Sequence, residues 1–217
     1  MQTFKKLFGN KKKKSVKGKK ATVFILSYKA NEEMALETEK AFKKKGYKTK
    51  VVYGYDLSSE EAKKNKVTAT TVVYLNFRDF IFPLAKKLGT HYFVAEDDCK
   101  VYDKYTKYID EYAQYDVVRV GYHKIHKIKG NISYISGGQL TFFNKSTNDK
   151  MEQLLDKKVT RAQHYDRFLT NLQLKNTLNV LLPKKSRAGF KSHFSRIIDN
   201  KRMSYSASIS SNISGKV

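Results

Sequence analysis

The run ATVFILSY at residues 21–28 is the feature that most constrains the fold. It is almost entirely apolar and rich in β-forming residues, which favours a strand covered by protein on both faces. Strands of this kind occur in parallel sheets, in which a crossover segment, usually a helix, leads to the next strand. We therefore expect a helix and then a second strand to follow residue 28.

A helical pattern and a second strand do follow. Asn31 stands at the N-cap position, Glu32 and Glu33 fall in the first turn, and lysines occupy residues 43–45 at the end. Acidic residues at the start of a helix and basic residues at its end suit the helix dipole. The run KTKVVYGYD at 48–56 then predicts the second strand, so the chain opens with a β-α-β unit.

The same alternation continues along the chain. Further strands are predicted by the runs HYFVAEDD, YDVVRVGYH and GQLTFFN, and helical patterns are found at 58–66, 72–89, 102–113 and 147–156 and from residue 164. In the segment 102–113, helical spacing predicts a packing face formed by Tyr102, Tyr105, Ile109 and Tyr112. The pattern predicts one α/β domain over residues 21–198, with a mostly parallel central sheet flanked by helices.

The charge of the chain is strongly positive. Lys and Arg total 44 against 20 Asp and Glu, which gives a net charge of +24, and residues 1–20 alone carry nine lysines. The lysines predict a flexible basic arm, and the Ser-rich residues 199–217 predict a C-terminal tail. The charge favours a polyanionic partner, such as nucleic acid, an anionic membrane surface or an acidic glycan. The alternative is a surface that is simply solubilising.

Several classes of protein are excluded or disfavoured. Cys99 is the only cysteine, so neither an intrachain disulfide nor a cysteine-zinc site can form. No apolar run reaches the length of a transmembrane helix. The first residues lack the apolar core of a secretory signal, so we expect a cytoplasmic location, in the host cell if the protein is viral.

An acidic cluster interrupts this basic sequence. Glu96, Asp97 and Asp98 directly follow the apolar residues 91–95, and ligands of open α/β sheets bind beyond the carboxyl ends of the strands. Alternation along a strand would point Glu96 and Asp98 to one side and Asp97 to the other. Such a carboxylate pair suits Mg²⁺ or Mn²⁺, which usually also bridges substrate phosphates. The alternative is an ordinary acidic turn at the end of a strand.

The segment HYFVAEDDCKVY at 91–102 resembles the acid-x-acid metal motif of nucleotide-sugar-dependent glycosyltransferases with the Rossmann-like A-type fold. Its Glu-Asp-Asp order is most similar to the family 25 glycosyltransferases of lipopolysaccharide assembly. YISGGQLTFFN resembles the family's glycine-containing acceptor-side segment, and HYDRFL resembles its motif with an Asp before an apolar pair. The resemblance covers residues 21–198. The family's arginine-rich stretch after the first strand is missing from SYKANEEM, which leaves the donor nucleotide open.

The resemblance implies roles for the acidic residues and for a late histidine. Asp98 would be the principal metal ligand, Glu96 would hold the donor ribose or the metal through a water, and His193 would complete the metal shell. The donor would be a nucleoside diphosphate sugar, with a UDP-sugar favoured. Its nucleoside and diphosphate would contact a larger set of residues, namely Ser27, Tyr28, Asp56, Asp97, Lys191 and Arg196.

The resemblance also implies an acceptor side. Gly137, Gly138 and Gln139 would lie against the sugar or the acceptor, because glycine lets the backbone approach a ligand closely. The alternative for the glycine pair is a simple hairpin turn. Asp166 would be the general base of an inverting transfer, and the alternative for this residue is stabilisation of a helix first turn.

The acceptor itself is left open by the sequence. The charge slightly favours a hydroxylated base in DNA, as in viral DNA modification, which the enzyme would have to extrude from the duplex. A surface or lipid-linked glycan near an anionic membrane is the alternative acceptor. Two other classes also stay open: a non-catalytic nucleic-acid-binding α/β protein, and a metal-dependent nuclease or nucleotidyltransferase.

Overall fold

A computed structural model describes residues 21–64, 71–102, 105–155, 164–190, 194–195 and 203–204. The strands considered below are β1 (Thr22–Ser27), β2 (Lys48–Tyr53), β3 (Tyr92–Glu96), β4 (Cys99–Val101), β5 (Val117–Gly121), β6 (Lys124–Ile128), β7 (Asn131–Ser136), β8 (Leu140–Phe143), β9 (Val180–Leu181) and β10 (Ala188–Phe190). The helices are α1 (Glu32–Lys44), α2 (Glu60–Lys64), α3 (Val72–Asn76), α4 (Phe82–Leu88), α5 (Ile109–Tyr112), α6 (Asn148–Leu154) and α7 (Tyr165–Leu174).

The main sheet has six strands in the order β2-β1-β3-β8-β5-β9. Strand β1 is parallel to β2 and to β3, and β9 is parallel to β5. Only β8 runs against its neighbours β3 and β5. The other strands therefore share one direction, which confirms the predicted α/β fold with a mostly parallel sheet. Their carboxyl ends meet at one edge, which we call the carboxyl edge.

Helices cover both faces of this sheet because alternate residues of its strands enter two separate cores. In β1, Phe24 and Leu26 belong to the core beneath α3, α4, α6 and α7, whereas Val23 and Ile25 belong to the core beneath α1 and α5. All four side chains are buried. This two-sided burial explains why the first strand is a continuous apolar run rather than an alternating one.

Two local predictions need correction. Tyr102 does not join the packing face with Tyr105, because it directly follows β4, whose pairing with β10 holds the chain extended. Its side chain is 44% exposed, while Tyr105 is fully buried. Asn31 occupies the N-cap of α1 without a side-chain capping bond; its Nδ2 instead donates to Asp97 Oδ2 at 3.1 Å.

The strands outside the main sheet form small pairs beside the carboxyl edge. Strand β4 pairs with β10, and β6 and β7 form a hairpin. Gly137 and Gly138 lie between β7 and β8, which belong to different sheets. The hairpin-turn interpretation of the glycine pair is therefore wrong, because the strands on its two sides do not pair.

Parts of the sequence prediction fall outside the described residues. These are the basic arm at 1–20, almost all of the tail at 199–217, and three predicted ligand contacts, Lys191, His193 and Arg196. Within the part of the chain that is described, no helix is both long enough and apolar enough to span a bilayer.

Candidate active site

Glu96 is the last residue of β3, at the centre of the carboxyl edge. Its backbone N–H donates to the carbonyl oxygen of Gln139 at 3.1 Å, which extends the pairing of β3 with β8 by one step. This bond brings the Glu96 carboxylate next to the glycine pair. Its Oε1 lies 3.5 Å from the position that a Cβ on Gly138 would occupy.

Neither glycine leaves room for a side chain. Gly137 has φ +84°, and a Cβ there would lie 2.8 Å from the Gln139 side chain and 2.9 Å from the backbone nitrogen of His123. A Cβ on Gly138 would lie 3.0 Å from the ring of Tyr165. The backbone can therefore pass this close to Glu96 and Tyr165 only because both residues are glycine.

Asp166 reaches the same place from the first turn of α7. Its Oδ2 accepts the backbone N–H of Gly137 at 3.1 Å and the hydroxyl of Tyr134. Burial, together with the hydrogen bond to the Asp166 carboxylate, holds the pKa of Tyr134 well above its usual range. Two donors, one in β7 and one directly after it, thus fix the orientation of the carboxylate against the glycine pair.

Arg119 supports this arrangement from beneath and was missed by the sequence analysis. It lies on β5 and is fully buried. Its guanidinium donates to the carbonyl oxygens of Gly137 at 2.7 Å and Ile135 at 3.1 Å, and to Thr170 Oγ1 at 2.9 Å. Burial lowers its pKa to about 10, so the side chain is still a cation at neutral pH. An arginine within the apolar run YDVVRVGYH was the available signal, since a charged residue is seldom buried without partners.

Electrostatic repulsion is concentrated on Glu96. Burial raises its pKa well above the usual value, and the charges of Asp98, Asp166 and Asp97, in that order, raise it further. The backbone N–H of Gly138 opposes the shift. The side chain keeps part of its surface exposed, so a ligand can still reach it. A cation placed here would stabilise the ionised form of the carboxylate.

The two following acids form a turn, not the strand extension that was predicted. The chain must turn after Glu96 because β4 starts at Cys99 and pairs with β10. Asp97 faces β1 and α1, where its Oδ2 accepts the Ser27 hydroxyl at 2.8 Å. The hydroxyl of Thr38 donates to its carbonyl oxygen at 2.5 Å. Asp98 is buried, with 9% of its surface exposed.

The remaining predicted ligand contacts occupy different environments. Ser27 ends β1 and is buried against Asp97, while Tyr28 follows it and is half-buried. Asp56 lies beyond β2, where its Oδ1 accepts the backbone N–H and the hydroxyl of Ser58 at 2.9 and 2.7 Å. These contacts support the turn that leads into α2. Gln139 is buried beside the glycine pair.

The carboxylates suit a hard divalent cation that is shared with a substrate. Glu96 and Asp98 influence each other electrostatically at the carboxyl edge. Among the described residues, no three His, Cys, Asp or Glu side chains group closely enough to form a complete metal site. Mg²⁺ is commonly held by one or two carboxylates together with substrate phosphates. The donor set fits a cation bound in that way.

Comparisons with known proteins return structures but no sequence relatives. No family model matches the chain, and no curated protein is significantly similar to it. One similar solved structure is a glycosyltransferase involved in the glycosylation of the major capsid of PBCV-1, at 12% identity and TM-score 0.49, with 76% of this chain and 82% of that chain covered. Another is HddC from Yersinia pseudotuberculosis complexed with GMP-PN, at 10% identity and TM-score 0.42. That comparison covers 79% of this chain and 92% of the HddC chain. A second HddC structure from the same organism has TM-score 0.40 and 10% identity, and the comparison covers 82% of this chain and 95% of the HddC chain.

Proposed function

We propose that the chain is a glycosyltransferase with an A-type fold over residues 21–198, which transfers a sugar from a nucleoside diphosphate to a hydroxyl acceptor. The main support is the meeting of Glu96 and Asp166 at the glycine pair on the carboxyl edge of the sheet. These residues come from three separate parts of the chain. They were the residues that the family resemblance marked for metal, base and sugar contacts.

The transfer breaks the bond between the anomeric carbon and the diphosphate and forms a bond to the acceptor oxygen. Mg²⁺ or Mn²⁺, held by Asp98 and Glu96, would supply positive charge against the departing diphosphate. Asp166 would accept the proton of the acceptor hydroxyl. The hydroxyl of Tyr134 and the N–H of Gly137 hold that carboxylate in place.

The glycine pair would form the wall against which the transferred sugar lies. Gly137 and Gly138 bring their backbone close to Asp166 and Glu96, so a sugar bound there would contact main-chain atoms. On the nucleotide side, Tyr28 and Asp56 lie near the carboxyl ends of β1 and β2, where the nucleoside would bind. Ser27 and Asp97 would act indirectly, since they hydrogen-bond each other.

Binding of the donor is the first test. Thermal unfolding should be measured with a panel of nucleoside diphosphate sugars, with and without Mn²⁺, because a ligand of the native state raises the melting temperature. We expect one donor to raise it only when Mn²⁺ is present, and Asp98→Asn to abolish the shift. Asp110→Asn, at an exposed position on α5, should leave the shift unchanged. Absence of a metal-dependent shift with every donor would refute the proposal.

The acceptor is a second question within the same proposal. The net charge of +24 favours an anionic acceptor, of which a hydroxylated base in DNA is one candidate and a surface glycan is another. Transfer of radiolabelled sugar to hydroxymethylated DNA, compared with unmodified DNA of the same sequence, tests the first candidate. Label that appears only on modified DNA supports it, and no label on either DNA excludes it.

A non-catalytic nucleic-acid-binding protein is the competing function, and the same +24 charge favours it. It predicts DNA binding that weakens steeply with salt and that Asp98→Asn preserves or strengthens. The transferase instead predicts that Asp98→Asn removes metal-dependent sugar release from the donor. A nuclease or nucleotidyltransferase would process DNA without any sugar donor, so a reaction that lacks the sugar distinguishes it from the other two.

A further inference from the structure

A second concavity, not assigned above, lies beside Asp166. It is a cleft of about 910 Å³ between the β6–β7 hairpin, the end of α6 and one side of α7. Its lining includes His126, Tyr134, His164, Arg167, Thr170 and Lys175. This volume is within the range of small-molecule binding sites.

The charged residues that the structure describes in the cleft share one sign. Arg167 and Lys175 are cations, and His126 and His164 add ring nitrogens that can donate hydrogen bonds. No Asp or Glu is found among the described lining residues. The guanidinium of Arg167 lies over the Tyr134 ring at 5.7 Å. The His126 ring lies 5.4 Å from the same ring, at an angle of 33°. Arg167 and His126 therefore both pack against the Tyr134 ring.

Two lining residues connect the cleft to the candidate base. The ring of Tyr134 lines the cleft while its hydroxyl donates to Asp166 Oδ2. Thr170 also lines the cleft, and its hydroxyl donates to the carbonyl oxygen of Asp166 at 2.8 Å. Tyr134 therefore contacts both the cleft and the Asp166 carboxylate, so a sugar held in the cleft would lie next to the residue that orients the base.

We propose that this cleft binds an anionic group, a phosphate or a carboxylate, on a sugar that serves as the acceptor. The inference rests on the proposed transferase function and specifies its substrate. Positive groups favour the anion, and the partly exposed ring of Tyr134 favours a sugar ring that has apolar faces. A concave site of this size admits one or two sugar rings. A DNA duplex, in contrast, is contacted by side chains that project into its grooves.

Histidine signals provide a direct test of binding. The full-length protein, labelled with ¹⁵N-histidine, should be titrated separately with glucose 6-phosphate, glucuronate and uncharged glucose. We expect shifts of the His126 and His164 signals with one or both anionic sugars and none with glucose. His91, which is buried against Phe142 away from the cleft, should not shift. Phosphate and carboxylate are distinguished by which of the two anionic sugars causes the shifts.

Matched substitutions then test the role of the cations. Arg167→Gln and Lys175→Gln should each weaken binding of the anionic sugar by about fivefold, the effect of one partly exposed charge contact. Lys50→Gln, at an exposed position on β2, removes the same charge elsewhere and should leave the affinity unchanged. Equal weakening by all three variants would mean a general charge effect and would overturn the proposal.

The remaining outcomes are also decisive. Absence of His126 and His164 shifts with both anionic sugars overturns the proposal, and so do equal shifts with glucose. Shifts that occur only with a hydroxymethylated DNA duplex overturn it in favour of DNA. The metal-dependent shift in melting temperature with a nucleotide-sugar does not involve the cleft. The transferase function can therefore stand if the cleft proposal fails. If neither the metal-dependent shift in melting temperature nor the histidine shifts are observed, the transferase function and the cleft proposal are both refuted.

Discussion

Replacement of Gly137 by alanine gives a sharp test of the site's construction, because the chain contains a matched control. Gly137 and Gly130 have nearly the same φ angle, +84° and +85°. A side chain in this left-handed region costs about 1–2 kcal/mol, partly offset by about 0.4–1 kcal/mol of lost unfolded-state entropy. These two terms should be equal at both positions and cancel in the comparison.

The surroundings of the two glycines differ. A Cβ at Gly130 would have no atom within 4 Å, whereas one at Gly137 would lie 2.9 Å from the backbone nitrogen of His123 and 2.8 Å from the Gln139 side chain. The Gln139 side chain can rotate away. The His123 backbone cannot move easily, because its N–H donates to the carbonyl oxygen of Ser136 at 2.8 Å. Overpacking of this kind costs about 1–3 kcal/mol, so we expect Gly137→Ala to lose that much more stability than Gly130→Ala.

Urea unfolding followed by far-UV circular dichroism measures the difference. The two variants should share the wild-type m-value, and the midpoint of Gly137→Ala should lie at the lower urea concentration. Sugar transfer should also fall in Gly137→Ala, since Gly137 contacts both Asp166 and Arg119, and should persist in Gly130→Ala. Equal losses of stability would refute the packing argument. Normal transfer by a destabilised Gly137→Ala would refute the position of the glycine pair in the site.

Three further outcomes follow from the contacts of the site. Arg119→Met should lower the free energy of unfolding by about 3 kcal/mol or more, because the carbonyl oxygens that it satisfies stay buried, and Arg119→Lys should lose less; urea unfolding checks both. Ser27→Ala and Asp97→Ala should each lower the free energy of unfolding by about 1–3 kcal/mol. The double variant should lose less than the sum of the two, because both substitutions remove the same hydrogen bond. Strictly additive losses in the double-mutant cycle would contradict this. The folded-state pKa of Glu96 lies above the ordinary value of 4.5, so the folded protein favours the protonated carboxyl group. The stability that this group contributes is therefore fully present below pH 4.5 and is lost as the pH rises through the raised pKa. Glu96→Gln should therefore be more stable than the wild type at neutral pH, and this advantage should shrink on acidification. A difference in the free energy of unfolding that stays constant across a pH series would contradict the raised pKa.

Local patterns were sufficient to predict most elements of the fold. The run at 21–28 and the charges at the two ends of α1 predicted the β-α-β opening, because continuous burial and helix termini leave a direct mark on neighbouring residues. The reversed direction of β8 was not predictable. A short apolar strand such as GQLTFFN has the same pattern in either direction, and its orientation is decided by pairing with β3 and β5, which are distant in sequence.

The candidate site was predictable only in part, for a related reason. Glu96 could be assigned because ligand sites of α/β sheets lie at the carboxyl ends of strands. The contributions of Arg119 and Tyr134 depend on contacts with Gly137 and Asp166 across long separations in the chain. No spacing rule encodes such contacts. An arginine inside a buried strand indicates that a buried partner must exist, but it does not identify the partner.

The charge of the site differs from the charge of the chain for a physical reason. The many exposed lysines act through water and salt, which screen them beyond about 10 Å, so they do little to neutralise Glu96. Arg119 is buried and its charge attracts Asp166 and Glu96, but its hydrogen bonds go to carbonyl and hydroxyl oxygens. Burial and repulsion from Asp98, Asp166 and Asp97 still raise the pKa of Glu96, and a divalent cation would oppose both effects. The basic surface and the acidic centre thus suit different ligands: an anionic partner outside, and a cation shared with a diphosphate within.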